Sequence, residues 1–146
     1  MESEIIPKLG IKYVGLEMKG LKKNIVHSIK ALLLFKDAIK KCKKVIKDFN
    51  PDIVLGIGGY VTSPVIYSAK KLGYKTFIHE QNSIPGKCNK FLSNYASLIG
   101  VSFESSIKDF PEYKTIYTGN TCSEDAIKKP AMNKKEFGLK ENKKLV

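Results

Sequence analysis

Arginine is absent from this chain. All 26 basic residues are lysine, against 14 acidic ones, so the 146 residues carry a formal charge of +12 and a pI near 9.6. Without arginine there is no planar fork for a bidentate grip on phosphate or carboxylate, and each basic group acts as a point charge. Cysteine is scarce. Cys42, Cys88 and Cys122 stand far apart, odd in number and with no Cys/His cluster. That pattern supports neither a disulfide framework nor a zinc site, and it suits a reducing compartment. Long apolar runs are missing too: none reaches the roughly 18 residues that a membrane span needs. The acidic start Met1-Glu2-Ser3-Glu4 is not a signal peptide.

What is present is ordinary for a globular domain, with 42% hydrophobic and 27% charged residues, which argues against disorder. The lysine excess fits phosphate, nucleic acid or an anionic lipid surface, and equally a compositional bias with no partner behind it. Nucleic acid has charge alone in its favour, with no reading helix or aromatic platform, so no nucleic-acid partner is expected.

Residues Glu2 to Lys8 read as the tail of a helix that Leu9-Gly10 stops, and Ile11 to Leu16 as a short strand. From Ile25 to Phe49 apolar residues recur in steps of three or four, at Ile25, Ile29, Leu32, Phe35, Ile39, Cys42, Ile46 and Phe49, which predicts a helix with that stripe inward. Asn50-Pro51 ends it. A strand–turn–helix rhythm follows. Asp52 to Ile57 is an apolar run suited to a buried parallel strand. Thr62 or Ser63 caps a helix that ends at Leu72-Gly73. Lys75 to His79 is the next strand, Glu80 to Ser83 a polar loop, and a helix runs from Pro85 to about Tyr95. Leu98 to Phe103 and Lys114 to Thr118 are further strands, with a short helix or turn at Ser105 to Asp109 between them. Alternating strands and helices predict an α/β fold with a parallel sheet, whose ligands sit at the carboxyl ends of the strands.

Two polar loops fall at those ends. In Gly56-Ile57-Gly58-Gly59-Tyr60 consecutive glycines let a backbone approach a ligand, and the helix start that follows suits phosphate; a tight packing turn would use the same residues. In His79-Glu80-Gln81-Asn82 four polar side chains follow a strand. Such groups recognise sugar hydroxyls or supply acid–base chemistry, or form a solvated loop with His79 at the edge of the core.

Together, PDIVLGIGGYVTSP and, about twenty residues on, FIHEQNSIPGKCNKFLS resemble the MurG family. The likeness extends to Tyr117-Thr118-Gly119-Asn120 and back through Gly15 to Lys22 and Glu2 to Leu9. The resemblance implies a Rossmann-like parallel sheet with flanking helices, the N-terminal domain of a GT-B fold lacking its first strand. It implies residues 1–122 as the acceptor-side domain, and 123–146 as a linker and the start of a C-terminal donor domain. The implied reaction belongs to peptidoglycan synthesis: inverting transfer of N-acetylglucosamine from UDP-N-acetylglucosamine to undecaprenyl-diphospho-muramoyl-pentapeptide (lipid I), giving lipid II, with no metal and no cofactor. By this likeness Gly58, Gly59 and Tyr60 receive the acceptor diphosphate. Asn82 touches the UDP-sugar, and His79, Glu80 and Gln81 belong to the cleft loop. The family's candidate catalytic base lies on a glycine-rich loop upstream of Met1. Where the family usually reads Gly-Asn-Pro-Val-Arg, this chain has Gly119-Asn120-Thr121-Cys122-Ser123, so the donor-phosphate arginine is replaced. The expected role is recognition of lipid acceptor and membrane by a chain inactive alone, with the base on the upstream loop and the donor contacts in the C-terminal domain. The alternative is a non-catalytic acceptor-binding subunit of a split transferase, working with a separate donor-binding chain.

The helix around Leu21 to Lys47 carries the membrane question. Leu32-Leu33-Leu34-Phe35 is wider than one buried stripe requires, and Lys22, Lys23, Lys30, Lys36, Lys40 and Lys41 surround it. Apolar residues ringed by lysine suit docking on an anionic leaflet; a core helix with a solvated lysine face is the other reading. The resemblance implies the first, with Ile25, Ile29, Leu33, Leu34, Lys22, Lys23 and Lys30 facing a peripheral site on the cytoplasmic side of the bacterial cell membrane.

Overall fold

A computed structural model describes residues 2–18, 25–120 and 127–128. Four strands make a single parallel sheet in the order β1-β2-β3-β4: β1 is Ile53–Gly56, β2 Lys75–Glu80, β3 Leu98–Val101 and β4 Thr115–Tyr117. The register pairs Gly56 with Ile78, Ile78 with Ile99, and Ile99 with Thr115. Helices α1 (Glu2–Lys8), α2 (Ile25–Phe49), α3 (Thr62–Lys71) and α4 (Lys87–Leu92) precede or link the strands, and two 3₁₀ turns, Glu104–Asp109 and Glu112–Lys114, lead from β3 to β4. Left-handed backbone falls where the sequence punctuates. Gly10 (φ 73°) closes α1, Asn50 (φ 47°) closes α2 and Gly73 (φ 84°) follows α3.

One face of the sheet makes the core. Val54, Ile78, Ile99 and Val101 pack against Ile66 and Ala69 of α3, Leu92 of α4 and, further out, Cys42 and Ile46 of α2. Burial raises the Cys42 thiol to a pKa of about 11 despite the charge of neighbouring Lys41, so it stays protonated and packs as an apolar group.

The opposite face is apolar and open. Ile53, Leu55, Leu98 and Ile116 point to it and are exposed, as is Ile57 just past β1. The expectation of a strand at Asp52–Ile57 buried on both sides is thus corrected. β1 is an edge strand among the described residues, and only its Val54–Gly56 side meets a helix.

Three further expectations change. Ile11 to Leu16 forms no strand, because a strand needs a ladder partner. Instead the Gly15 carbonyl accepts a bond from Lys41 Nζ at 2.9 Å, and Leu16 packs on the core. The inward stripe of α2 matches the expected one only in part. Cys42 and Ile46 are buried and Phe35 and Ile39 half-buried, whereas Ile29, Leu32 and Phe49 are exposed and Ala31 and Ala38 are buried in addition. α2 lies close on α3, where Ser68 Oγ donates to the Ile39 carbonyl at 3.2 Å. Finally, the helix read from Pro85 to Tyr95 is confined to Lys87–Leu92.

Candidate functional site

The loops after β1 and β2 lie side by side at the carboxyl end of the sheet. Gly56 must be glycine, since a Cβ there would stand 2.5 Å from Thr62 Cγ2 and 3.0 Å from Ile66 Cγ1. Its bareness lets α3 settle directly onto β1. Gly58 (φ 94°) and Gly59 (φ 76°) then turn the chain through left-handed backbone that side chains rarely adopt. The expected cap by Thr62 or Ser63 is not made. Val61 is the N-cap without a side-chain bond, and Thr62 Oγ1 donates to the Gly58 carbonyl instead. The amides of Thr62 and Ser63 are spent on the Gly59 and Tyr60 carbonyls at 3.2 and 3.3 Å. The amides of Gly59, Tyr60 and Val61 make no such bond among the described residues and remain available to a ligand. Tyr60 is exposed beside them.

The second loop is ordered from within. Glu80 is 1% exposed and is the last residue of β2, so the polar loop expected from Glu80 to Ser83 begins one residue later. The Glu80 carboxylate Oε1 accepts from the backbone amide of Asn82 at 2.9 Å and from Asn82 Nδ2 at 2.8 Å. Its Oε2 accepts from the Gly86 amide and from Asn89 Nδ2, each at 2.9 Å. Burial pushes the Glu80 pKa up, but these hydrogen bonds to the charged form outweigh it and hold it below the ordinary value. The group is an ionised clasp, not a proton donor.

His79 is likewise engaged on both nitrogens. Nε2 lies 3.0 Å from Thr118 Oγ1 and 3.2 Å from the Gly119 carbonyl, and Nδ1 lies 3.3 Å from Gln81 Nε2. A carbonyl only accepts, so Nε2 carries the hydrogen and Nδ1 accepts from Gln81. His79 therefore ties β2 to the segment after β4, and among these four residues only Asn82 is fully exposed.

Three residues given no role in the sequence reading prove to hold the site. Asn89, 3% exposed, bridges the His79 carbonyl (3.2 Å) and Glu80. Ser106, fully buried, donates to the carbonyls of Asn82 (3.2 Å) and Ser83 (2.9 Å). Cys88 Sγ, at the start of α4 just past the second loop, reaches the Gly59 carbonyl at 3.0 Å and Ser63 Oγ at 3.1 Å, and so ties the first loop and α3 to α4. Asn89 and Cys88 lie inside the motif stretch, but only the folded chain shows which neighbours they meet.

On α2, Ile29, Leu32 and Leu33 are exposed at 57%, 55% and 56%, forming an apolar surface among exposed Lys36, Lys40 and Lys41. Leu34, expected on the same surface, is half-buried. The side chains of Ile25 and Lys30, and residues Lys22 and Lys23 altogether, lie outside the described residues, as does most of 121–146. Among the described residues no helix is long and apolar enough to cross a membrane, and no group of three His, Cys, Asp or Glu is placed to hold a metal ion.

A parallel α/β layer with two glycine- and amide-bearing loops at adjacent strand ends is a ligand-binding half-module of the Rossmann-like class. The glycosyltransferase family 28 N-terminal domain model matches residues 1–101, and the chain belongs to that family. It is 43% identical over its whole length to the UDP-N-acetylglucosamine--N-acetylmuramyl-(pentapeptide) pyrophosphoryl-undecaprenol N-acetylglucosamine transferase 1 of Bacillus cereus, and 39% identical to the corresponding transferase of Bacillus pumilus. It spans 41% of the length of each of these relatives. The crystal structure of MurG from Acinetobacter baumannii superposes with a TM-score of 0.68 at 26% identity, over 90% of this chain and 38% of that one. The expected fold and family are thus both found.

Proposed function

We propose that this chain forms the acceptor- and membrane-facing part of a transferase that moves N-acetylglucosamine from UDP-N-acetylglucosamine onto an undecaprenyl-diphosphate-linked muramoyl-pentapeptide. The observation that carries the reading is the junction of the two loops. Cys88 holds Gly59, so the amides of Gly59, Tyr60 and Val61 lie beside the loop whose exposed tip is Asn82. Backbone amides suit the diphosphate of the acceptor, and Asn82 suits the sugar of the donor. The neighbouring side chains position rather than react, because both nitrogens of His79 and both oxygens of Glu80 are occupied. By the family likeness the base lies on the upstream glycine-rich loop, and the rest of the donor-binding surface belongs to a donor domain or a separate chain.

The test is reconstitution. The pure chain should give no lipid II from UDP-N-acetylglucosamine and a lipid I analogue, and transfer should be restored when the upstream glycine-rich segment and the donor domain of a relative are both supplied. Turnover by the pure chain, or none in the reconstituted mixture, would refute the assignment.

The exposed Ile29–Leu33 surface of α2 and its lysines support peripheral binding to an anionic leaflet. Each basic residue near such a surface contributes about 1 kcal/mol, within a Debye length of about 8 Å at physiological salt. Sedimentation with anionic vesicles should show binding that weakens steeply with salt, and Leu33→Glu should reduce it about tenfold or more by placing a charge in the apolar contact. Equal binding to neutral vesicles would contradict the lysine contribution.

A further inference from the structure

The three side-chain amides of the loop region share one polarity. Gln81 points its Nε2 at the bare Nδ1 of His79. Asn82 points its Nδ2 at Glu80 Oε1. Asn89 spends its Nδ2 on the His79 carbonyl and on Glu80 Oε2. The carboxylate and carbonyl partners of Asn82 and Asn89 only accept, so neither amide can be reversed without setting oxygen against oxygen, and Gln81 takes the same sense with His79 protonated on Nε2. The nitrogens are turned inward and the carbonyl oxygens are left over. Asn89 Oδ1 is buried and has no hydrogen-bond partner. The Asn89 amide lies beside Gly58, where a Cβ would stand 3.4 Å from Asn89 Nδ2, 3.9 Å from Asn89 Oδ1 and 3.8 Å from Gln81 Oε1. Asn82, exposed, turns its oxygen away from Glu80. The carboxylate of Glu80 sets this arrangement, since it draws in donors at both oxygens and has no hydrogen of its own to offer.

We propose that Glu80 is a positioning residue that fixes the polarity of the loop, so that Asn82 and Gln81 present acceptor oxygens and the site takes hydrogen-bond donors, the hydroxyls of a neutral sugar, rather than phosphoryl oxygens. This rests on the functional reading above and deepens it, dividing the cleft into an amide side that donates and a loop side that accepts. The division also gives Glu80→Gln a specific consequence. The new side-chain NH₂ must face either Asn82 or the Gly86–Asn89 pair. Either choice costs one backbone amide, of Asn82 or of Gly86, its acceptor; the Asn82 side chain, at the exposed tip, is the freer to respond, and it turns its oxygen inward to accept and its nitrogen outward. The loop then inverts its preference.

The test is nuclear magnetic resonance on the isotope-labelled full chain. In the wild type, scalar couplings across hydrogen bonds should link Asn82 Nδ2 and Asn89 Nδ2 to the Glu80 carboxylate carbon, with no ligand present. Titration should show the Asn82 side-chain amide responding to the methyl glycoside of N-acetylglucosamine at concentrations about tenfold below those of its O-methylated form, which has lost every hydroxyl donor and keeps only the acetamido N–H; tenfold is about 1.4 kcal/mol. In Glu80→Gln that ratio should fall about tenfold while the backbone spectrum stays dispersed. A merely structural Glu80 would weaken both sugars alike. Absent couplings in the wild type, or an unchanged ratio in the variant, would overturn the proposal. Should Glu80→Gln not fold, the wild-type couplings and sugar ratio decide alone. If neither sugar moves any resonance of residues 79–89, the functional reading and the proposed ligand fail together, while the couplings still establish or refute the clasp.

Discussion

Replacing Glu80 with alanine should lower the unfolding free energy by about 2–4 kcal/mol. A hydrogen bond to a charged group contributes about 1.5–3 kcal/mol, and this carboxylate accepts four: two from Asn82, one from Gly86 and one from Asn89. Water can replace the carboxylate at exposed Asn82 and Gly86 but not at Asn89, which is 3% exposed, so the loss falls short of the full sum. The same group makes the chain acid-sensitive. Its pKa in the folded state is depressed below 4.5, so the unfolded chain takes up the proton first on acidification. Stability from Glu80 is therefore full above the unfolded value and is lost as pH falls from there through the folded one. Urea unfolding at a series of pH values should show the wild type weakening below about pH 4.5, with a shallower dependence in Glu80→Ala. Identical acid dependence in the two proteins would mean that the clasp is not ionised.

Ile66→Ala should cost about 2–5 kcal/mol, the usual range for emptying a fully buried aliphatic site. Ile66 is wholly inaccessible, and its Cγ1 and Cδ1 press on the bare α-carbon of Gly56, 3.0 and 3.1 Å from where a Cβ would be. The side chain fills the space between α3 and the last residue of β1, so the void opens beneath the Gly58–Gly59 turn. Domains of this size are stable by only about 5–15 kcal/mol. The denaturation midpoint should therefore drop markedly with the slope unchanged. An effect under about 1 kcal/mol would show that α3 can close onto β1 without it.

The regular part of the fold was legible because its signals are local. Asn50-Pro51, Gly58-Gly59, Leu72-Gly73 and the short apolar runs between them mark every strand and helix from β1 to β4 to within a few residues, apart from the overlong helix at α4. The inward face of α2 was legible only in part: periodicity picked out Cys42 and Ile46 but, weighting large side chains, passed over the buried Ala31 and Ala38. The strand expected at Ile11 to Leu16 failed for a related reason. Apolar alternation says nothing about whether a ladder partner is within reach. At the site, the motif residues could be named from the sequence, but their division of labour could not. That Glu80 is an internal acceptor depends on Asn89, nine residues on, and on the Gly86 amide. That His79 is a tie depends on Thr118 and Gly119, about forty residues away. These are facts of tertiary placement.

The open apolar face of the sheet has a thermodynamic counterpart. Leu55, Leu98 and Ile116 already meet water in the folded chain, so unfolding has less apolar surface left to hydrate than the length of the chain suggests. The heat-capacity increment of unfolding scales with that newly hydrated surface, and here it is correspondingly small. The stability of this chain therefore curves gently with temperature, with cold weakening it less than a domain covered on both faces of its sheet.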